Sequence, residues 1–400
     1  MGIFSIRRKK ENIRSKDYLI EFRFSGYAKD TIKELKNSIS RNFHVTKKKI
    51  VPHITIVGPL YTKDEKRLVK EVVSVVKNYK LIKCKFDGFD SFENRVIYVG
   101  IKPSEELKQL RLEIVEKLQE FCTLSVFDYD KKFTFHATLV LKDIQRKFDR
   151  IWNFLQSWKL PKLDQYVIRI TILRESRILG EYDLLQRKLL DREQSRDRKI
   201  YRKTIELLNK IRPPTEIEFE DIPHNEKNFV LSDTHFDHRN IIRFCNRPFR
   251  STREMNYELL KNWNNTVNNN RIFFLGDLTY GRGRRPIDYW LGKLSGQIYH
   301  LRGNHDTDMI ERAEVISDRY GIQYKGYKFL LMHGPHRPHG YDGWIIHGDK
   351  HNNNLKDYPF IHQKNKTVNV CAELVDYTPL SLDTLIPLIE SGHSYKTING

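Results

Sequence analysis

At 400 residues the chain exceeds one ordinary hydrophobic core, and a scale of about 100–200 residues per domain gives two or three domains. Hydrophobic residues at 39%, with 22 Phe and 20 Tyr, exclude a disordered chain, and no apolar run approaches membrane-spanning length. The 71 Lys and Arg against 51 Asp and Glu give a formal charge of +20, which favours a polyanionic partner, most simply nucleic acid. Basic residues crowd at 7–10 and 47–49 and again between 187 and 203, and no apolar stretch of signal length follows the first of these runs. Cys84, Cys122, Cys245 and Cys371 stand alone without Cys-x-x-Cys spacing, as buried reduced thiols of a cytoplasmic protein would.

The first half reads as two lobes, each with strands and a helix: residues 18–24 with 30–40, and 96–101 with 105–121. Each lobe carries a His-x-Thr triple inside an apolar run, His53-Ile54-Thr55 and His136-Ala137-Thr138. In an extended strand alternate side chains share a face. His53 and Thr55 therefore point one way while Ile54 and Ile56 point the other, and His136 and Thr138 oppose Ala137 and Leu139. Two such strands side by side would offer two imidazoles and two hydroxyls to one phosphate. His44-Val45-Thr46 has the same form, but it follows a helical stretch and runs into Lys47-Lys48-Lys49, which marks a loop. A satisfied core histidine is the alternative reading of the pair.

The Pro-His-x-Thr form at Pro52 to Thr55, the Phe-His-x-Thr form at Phe135 to Thr138, and their separation of 136 − 53 = 83 residues resemble the two-histidine (2H) phosphoesterase superfamily, over about residues 15–190. Its members include RNA 2′,3′-cyclic phosphodiesterases of the LigT type. The resemblance implies a bilobal fold, no cofactor in this domain, and opening of a 2′,3′-cyclic phosphate to a 2′-phosphate. One imidazole must be neutral to activate water and the other protonated to supply the leaving oxygen. The hydroxyls of Thr55 and Thr138 would stabilise charge on the non-bridging oxygens. By resemblance His136 activates water and His53 protonates the departing ribose 3′ oxygen, roles that the pseudo-symmetry of the lobes makes exchangeable.

Residues 166–173 form one closing strand, followed by a turn through Gly180 and a short segment to about 190. The stretch 191–211 is charged, lacks Gly and Pro, and carries Ile200, Ile205, Leu207 and Leu208, which suits a helix stopped by Pro213-Pro214. It reads as the main part of a charged linker over 191–225. The tail from Gly392 is expected to be loose.

The second half holds a series of metal-ligand types: Asp233 with His235, Asp277, Gly303-Asn304-His305-Asp306, His333, and His347-Gly348-Asp349-Lys350-His351. Apolar runs at 229–231, 272–275 and 329–332 end just before Asp233, Asp277 and His333, as buried strands with ligands at their carboxyl ends would. Carboxylates, imidazoles and one amide suit paired borderline-hard divalent ions, which polarise a phosphate and activate water. A turn or capping role is the alternative for each Asp and Asn taken singly.

In that order the motifs resemble the calcineurin-like metallophosphoesterase superfamily, over about residues 226–392. The resemblance implies an α/β fold, an αββα sandwich beside the α+β first domain, and two divalent metals. It assigns Asp233, His235 and His351 to one metal and Asn304, His333 and Asp349 to the other, with Asp277 bridging and His305 as the acid beside the leaving group. Asp349 stands where the superfamily usually has histidine. A carboxylate there is the harder ligand, so Mn is expected first, with Fe, Zn, Ni or Mg as alternatives. His238, His336, His339, Arg282, Arg284 and Arg285 lie near the ligands in sequence and are candidates for holding substrate phosphate.

Together these motifs predict a bifunctional phosphoesterase acting on RNA ends or nucleotides, with no membrane partner. One alternative is turnover of a small linear or cyclic oligonucleotide signal. Another makes the first domain an RNA-binding or ligase-like module that delivers substrate to the metal site.

Overall fold

Two separate hydrophobic cores divide the chain, one running from Tyr18 to Leu184 and the other from Ile222 to Ile389. The computed structural model describes residues 17–45, 51–130, 132–141, 144–158, 160 and 164–400; the basic runs at 7–10 and 47–49, and Thr46, lie outside these.

The first core forms where two antiparallel sheets are covered by helices, which contribute Ile32, Leu68, Leu110 and Phe154 to it. One sheet has the spatial order His53–Tyr61, Asp17–Arg23, Arg169–Arg174, Arg177–Asp183, Lys188–Leu190. The other runs His136–Leu141, Val96–Pro103, Ile82–Phe92, Asp164–Val167. Each His-x-Thr strand is thus the edge of its sheet, and the two edges pack against each other. The first helix, Gly26–Phe43, buries Ala28, Ile32, Leu35 and Ile39, a stripe at helical spacing.

The expected single strand at 166–173 is two strands. Asp164–Val167 joins one sheet and Arg169–Arg174 the other, with buried Ile168 between them. Periodicity could not reveal this, because the chain stays extended through Ile168 with no Gly or Pro to mark the change of sheet. The charged stretch also differs from a linker. It forms Arg192–Arg196 and Arg198–Ile211, separated at Asp197, which caps the second helix through the amides of Lys199 and Ile200. This helix docks on the first domain: Arg169 donates to Asp183 at 2.9 Å, to Glu181 at 3.0 Å and to Thr204 at 2.8 Å, all of them buried.

The second core lies between two mixed sheets. The first orders Glu314–Ile316, Gln297–Leu301, Arg271–Phe274, Asn228–Leu231, Leu380–Ser381, and is parallel except at the last pair. The second orders Phe219–Asp221, Arg319–Tyr324, Tyr327–Met332, Trp344–His347, Thr367–Asn369, Ile361–His362. Its first strand comes from the polar stretch after Pro214. The C-terminal tail is tied down, because Tyr395 bridges Ile361 and the Ile398 amide donates to the Leu374 carbonyl at 2.9 Å. All four cysteines are buried and free. Among the described residues no helix is long and apolar enough to cross a membrane.

Candidate active sites

On the facing edge strands of the first domain, His53 and Thr55 are half-buried and alternate with buried Ile54 and Ile56, while His136 and Thr138 alternate with buried Ala137 and Leu139. His53 Nδ1 donates to the Val51 carbonyl at 2.8 Å, and His136 Nδ1 donates to the Thr134 carbonyl at 2.9 Å. Each ring is therefore held in the tautomer that leaves Nε2 free for substrate. Their surroundings differ. Burial lowers the His136 pKa, the Thr134 carbonyl opposes this, and the charge of His53 lowers it further. The His136 ring also packs against Phe92 and Tyr98, each 5.0 Å away between centroids. His53 Nε2 instead lies 3.7 Å from the buried Glu21 carboxylate, which Arg23 also holds.

Register explains these neighbours. Glu21 pairs with Thr55 and Arg23 with His53 in one sheet; Tyr98 pairs with Thr138 and Gly100 with His136 in the other. The sequence reading missed Glu21, Arg23, Phe92 and Tyr98. The available signal was two charges at alternate positions of an otherwise apolar strand.

In the second domain the parallel register of Asn228–Leu231 with Arg271–Phe274 aligns the carboxyl ends of these strands. The loops beyond stay joined, with the Asp233 amide donating to the Gly276 carbonyl at 3.0 Å and the His235 amide to the Asp277 carbonyl at 3.1 Å. Asp233, His235, Asp277, Asp349 and His351 all have left-handed backbones, with φ between 47° and 66°. For non-glycine residues this costs about 1–2 kcal/mol each, a strain that surrounding structure must sustain. Close glycine contacts hold the loops there. A Cβ on Gly303 would collide with Asp277, and one on Gly348 with Ser232 and Asp233.

Asp277 Oδ2 occupies the middle of the cluster, 3.6 Å from His235 Nε2 and 3.5 Å from His333 Nε2. On one side Asp233 Oδ1 lies 3.5 Å from His235 Nε2 and 3.4 Å from His351 Nε2. On the other, His333 Nε2 lies 2.9 Å from Asn304 Oδ1 and 3.8 Å from Asp349 Oδ1. His333 Nδ1 donates to the Leu275 carbonyl; against burial, the carboxylates of Asp277, Asp233 and Asp349 raise its pKa well above the usual value, so Nε2–H donates to the Asn304 oxygen, at the place a cation would take. Buried Asp233 Oδ1 and both ring nitrogens of His235 have no hydrogen-bond partner among the described residues, which fits metal ligation.

Supporting groups fix the cluster. Ser232 Oγ, the Asp349 amide and Cys371 Sγ all donate to Asp233 Oδ2, which leaves Oδ1 facing the cluster. Glu373 accepts from His351 Nδ1 at 3.1 Å and is paired with Arg247, the carboxylate–imidazole arrangement that orients metal-binding histidines. Burial alone would lower the His351 pKa, but Asp233, Cys245 and Glu373 lift it to about 11. Asp306 accepts from the amides of Asp277, Leu278 and Gly303 and from His300 at 2.7–3.0 Å, locking two ligand loops together. His305 lies 3.9 Å from Asp277, and its ring packs tilted against Tyr280 with centroids 4.0 Å apart. None of Ser232, Arg247, Cys371 or Glu373 was singled out from the sequence.

Asp349 meets the cluster only at its margin, and Lys350 Nζ holds its other oxygen at 2.6 Å. Among the described residues the compact groups of candidate ligands, Asp233–His235–His351, Asp233–Asp277–His333 and Cys245–His351–Glu373, do not include it. The expected phosphate-binding arginines separate: Arg284 is paired with Asp308 and Arg285 with Asp237, whereas Arg282 is exposed. His238 lines the cleft beside His305; His336 and His339 do not.

Residues 26–178 match the 2'-5' RNA ligase superfamily, and residues 228–394 match the calcineurin-like phosphoesterases. The chain joins a 2'-5' RNA ligase superfamily domain to a calcineurin-like phosphoesterase domain. The calcineurin-like domain implies divalent-metal binding, and both domains are of phosphoesterase families. Uncharacterized protein MJ1445 of Methanocaldococcus jannaschii is 46% identical over 177 residues, 43% of this chain and 97% of that protein. The crystal structure of AQ665 from Aquifex aeolicus, a protein of unknown function, is 25% identical and covers 40% of this chain and 98% of its own, with a TM-score of 0.32. E. coli LigT complexed with 3'-AMP is 13% identical and covers 41% of this chain and 92% of its own, with a TM-score of 0.28.

Proposed function

We propose that the chain is a bifunctional hydrolase of RNA ends or nucleotides. The 2'-5' RNA ligase superfamily domain opens 2′,3′-cyclic phosphates to 2′-phosphates, and the calcineurin-like domain hydrolyses a phosphomonoester or phosphodiester. The observation that carries the first activity is the matched tether of His53 and His136, each ring donating Nδ1–H to a backbone carbonyl and leaving its Nε2 free. His136, whose lowered pKa keeps it neutral, takes a proton from water. His53 beside Glu21 delivers a proton to the departing 3′ oxygen. Thr55 and Thr138, on the same faces, donate to the non-bridging oxygens.

In the second site Asp233, His235 and His351 would hold one divalent ion and Asn304, His333 and Asp349 the other, with Asp277 between them. Such a pair, when bound, polarises the phosphate and activates water, and a carboxylate-rich set favours Mn. His305, at the cleft side of Asp277, delivers a proton to the leaving oxygen. The test is to offer an oligoribonucleotide ending in a 2′,3′-cyclic phosphate under chelation and identify the product end. A 2′-phosphate is expected. A 3′-phosphate, or no reaction by folded protein, would contradict the reading.

A further inference from the structure

Beside the candidate ligand cluster, and joined to it by His305, which lies 3.9 Å from Asp277, is a cleft of about 670 Å³ whose wall comes from both domains. Arg41 and Asn42, in the last turn of the first domain's helix Gly26–Phe43, line it opposite Arg239, Tyr280, Arg282 and His305 of the second. This placement is anchored. Asn42 Nδ2 donates to the Thr307 carbonyl, three residues beyond Asn304. Arg302, which also donates to the Asp306 and Asp308 carbonyls, reaches Ser157 Oγ at 3.3 Å and lies 4.7 Å over the Trp158 ring. At the other end of the same helix Tyr27 lies under the Arg319 guanidinium at 3.9 Å. Tyr27, Glu34 and Arg41 are spaced by seven residues, so one flank of the helix faces the second domain while Ala28, Ile32, Leu35 and Ile39 fill the first core.

Charge distinguishes this wall from a simple docking contact. Arg284 is neutralised by Asp308, and Asp237, the acidic residue of the lining, is paired with Arg285. Arg41, Arg239 and Arg282 are exposed and make no ion pair among the described residues. Three unneutralised guanidinium groups beside a reacting centre suit a second phosphate, with planar forks that match its oxygens. Tyr280, packed 4.7 Å from His238, adds an aromatic face of the kind on which bases stack.

We propose that the first domain's helix completes the substrate site of the calcineurin-like domain, and that Arg41, with Arg239 and Arg282, binds a phosphate neighbouring the scissile one. The substrate class is therefore a single-stranded oligonucleotide, not a mononucleotide. This rests on the metal-dependent hydrolysis proposed above.

The test uses the full chain loaded with Mn and two substrates. One is bis(p-nitrophenyl) phosphate, which has a single phosphate. The other is a short single-stranded oligodeoxynucleotide, which has no 2′-hydroxyl and so is no substrate for cyclic-phosphate opening. Arg41→Glu should lower the ratio of kcat/KM for the oligonucleotide to that for the ester by about tenfold or more, mostly through KM, and Arg41→Lys should recover part of it. An equal loss on both substrates, no loss on either, or an oligonucleotide left uncut by a wild-type chain that cleaves the ester would overturn the composite site. Failure of the wild-type chain to hydrolyse the ester with metal would instead overturn the metal-dependent reading beneath it.

Discussion

His53 and His136 carry the same tether: each donates Nδ1–H to the carbonyl two residues before it, at 2.8 and 2.9 Å, from edge strands of two different sheets. Their environments differ, a carboxylate beside one and aromatic rings beside the other, and in the proposed reaction this asymmetry makes His53 the acid and His136 the base. His53→Ala or His136→Ala should lower cyclic-phosphate opening at least about a hundredfold. His44→Ala should do little, since His44 ends a helix with φ 49°. Activity needs His136 unprotonated, and its pKa is lowered from 6.5. The acidic limb of kcat/KM should therefore lie below pH 6.5. An acidic limb above that value, or a large effect at His44 with none at His53, would contradict the assignment.

Asp349 approaches His333 at 3.8 Å but also accepts from Lys350. As a ligand it makes the second position harder. Asp349→His should shift the activating profile toward Zn and Ni relative to Mn, and Asp349→Ala should weaken one metal only. Metal content and activity across a panel of divalent ions report this. Identical profiles for all three proteins would make Asp349 a turn residue held by its neighbour.

Arg169 joins Glu181, Asp183 and Thr204, and so fastens the helix Arg198–Ile211 to the first domain. Arg169→Ala leaves two buried carboxylates without their partner, which should cost about 3–5 kcal/mol. Denaturant unfolding of the full chain, followed at its first transition, checks this; a loss under about 1 kcal/mol would place the network at the level of an exposed ion pair.

The sequence was most informative where spacing along one strand sets chemistry. Alternation alone gives the shared face of His53 and Thr55, and the runs before Asp233, Asp277 and His333 locate those ligands at strand ends. Long-range pairing was not legible. Glu21 reaches His53 only because its strand pairs antiparallel with His53–Tyr61, and Glu373 reaches His351 from the 3-10 turn Ala372–Leu374, far from it in sequence. The break at Ile168 was hidden because no Gly or Pro marks it and both sides continue in extended conformation. Pinning of the tail at Tyr395 and Ile398 depends on loop contacts that carry no periodic signal. The contact between the first helix and the cleft was invisible for the same reason: Arg41 and Asn42 lie just past the helical stretch expected at 30–40 and carry no motif.

The central claim, two independent phosphoester chemistries on one chain, is tested most directly by crossing metal with mutation. The wild-type chain, a His53→Ala/His136→Ala variant and an Asp277→Asn variant would each be assayed, chelated and with Mn, for opening of a terminal 2′,3′-cyclic phosphate and for hydrolysis of bis(p-nitrophenyl) phosphate. The account predicts that chelation and Asp277→Asn abolish ester hydrolysis and spare cyclic-phosphate opening, while the double histidine variant does the reverse. Loss of both activities on chelation of a protein that stays folded would contradict it.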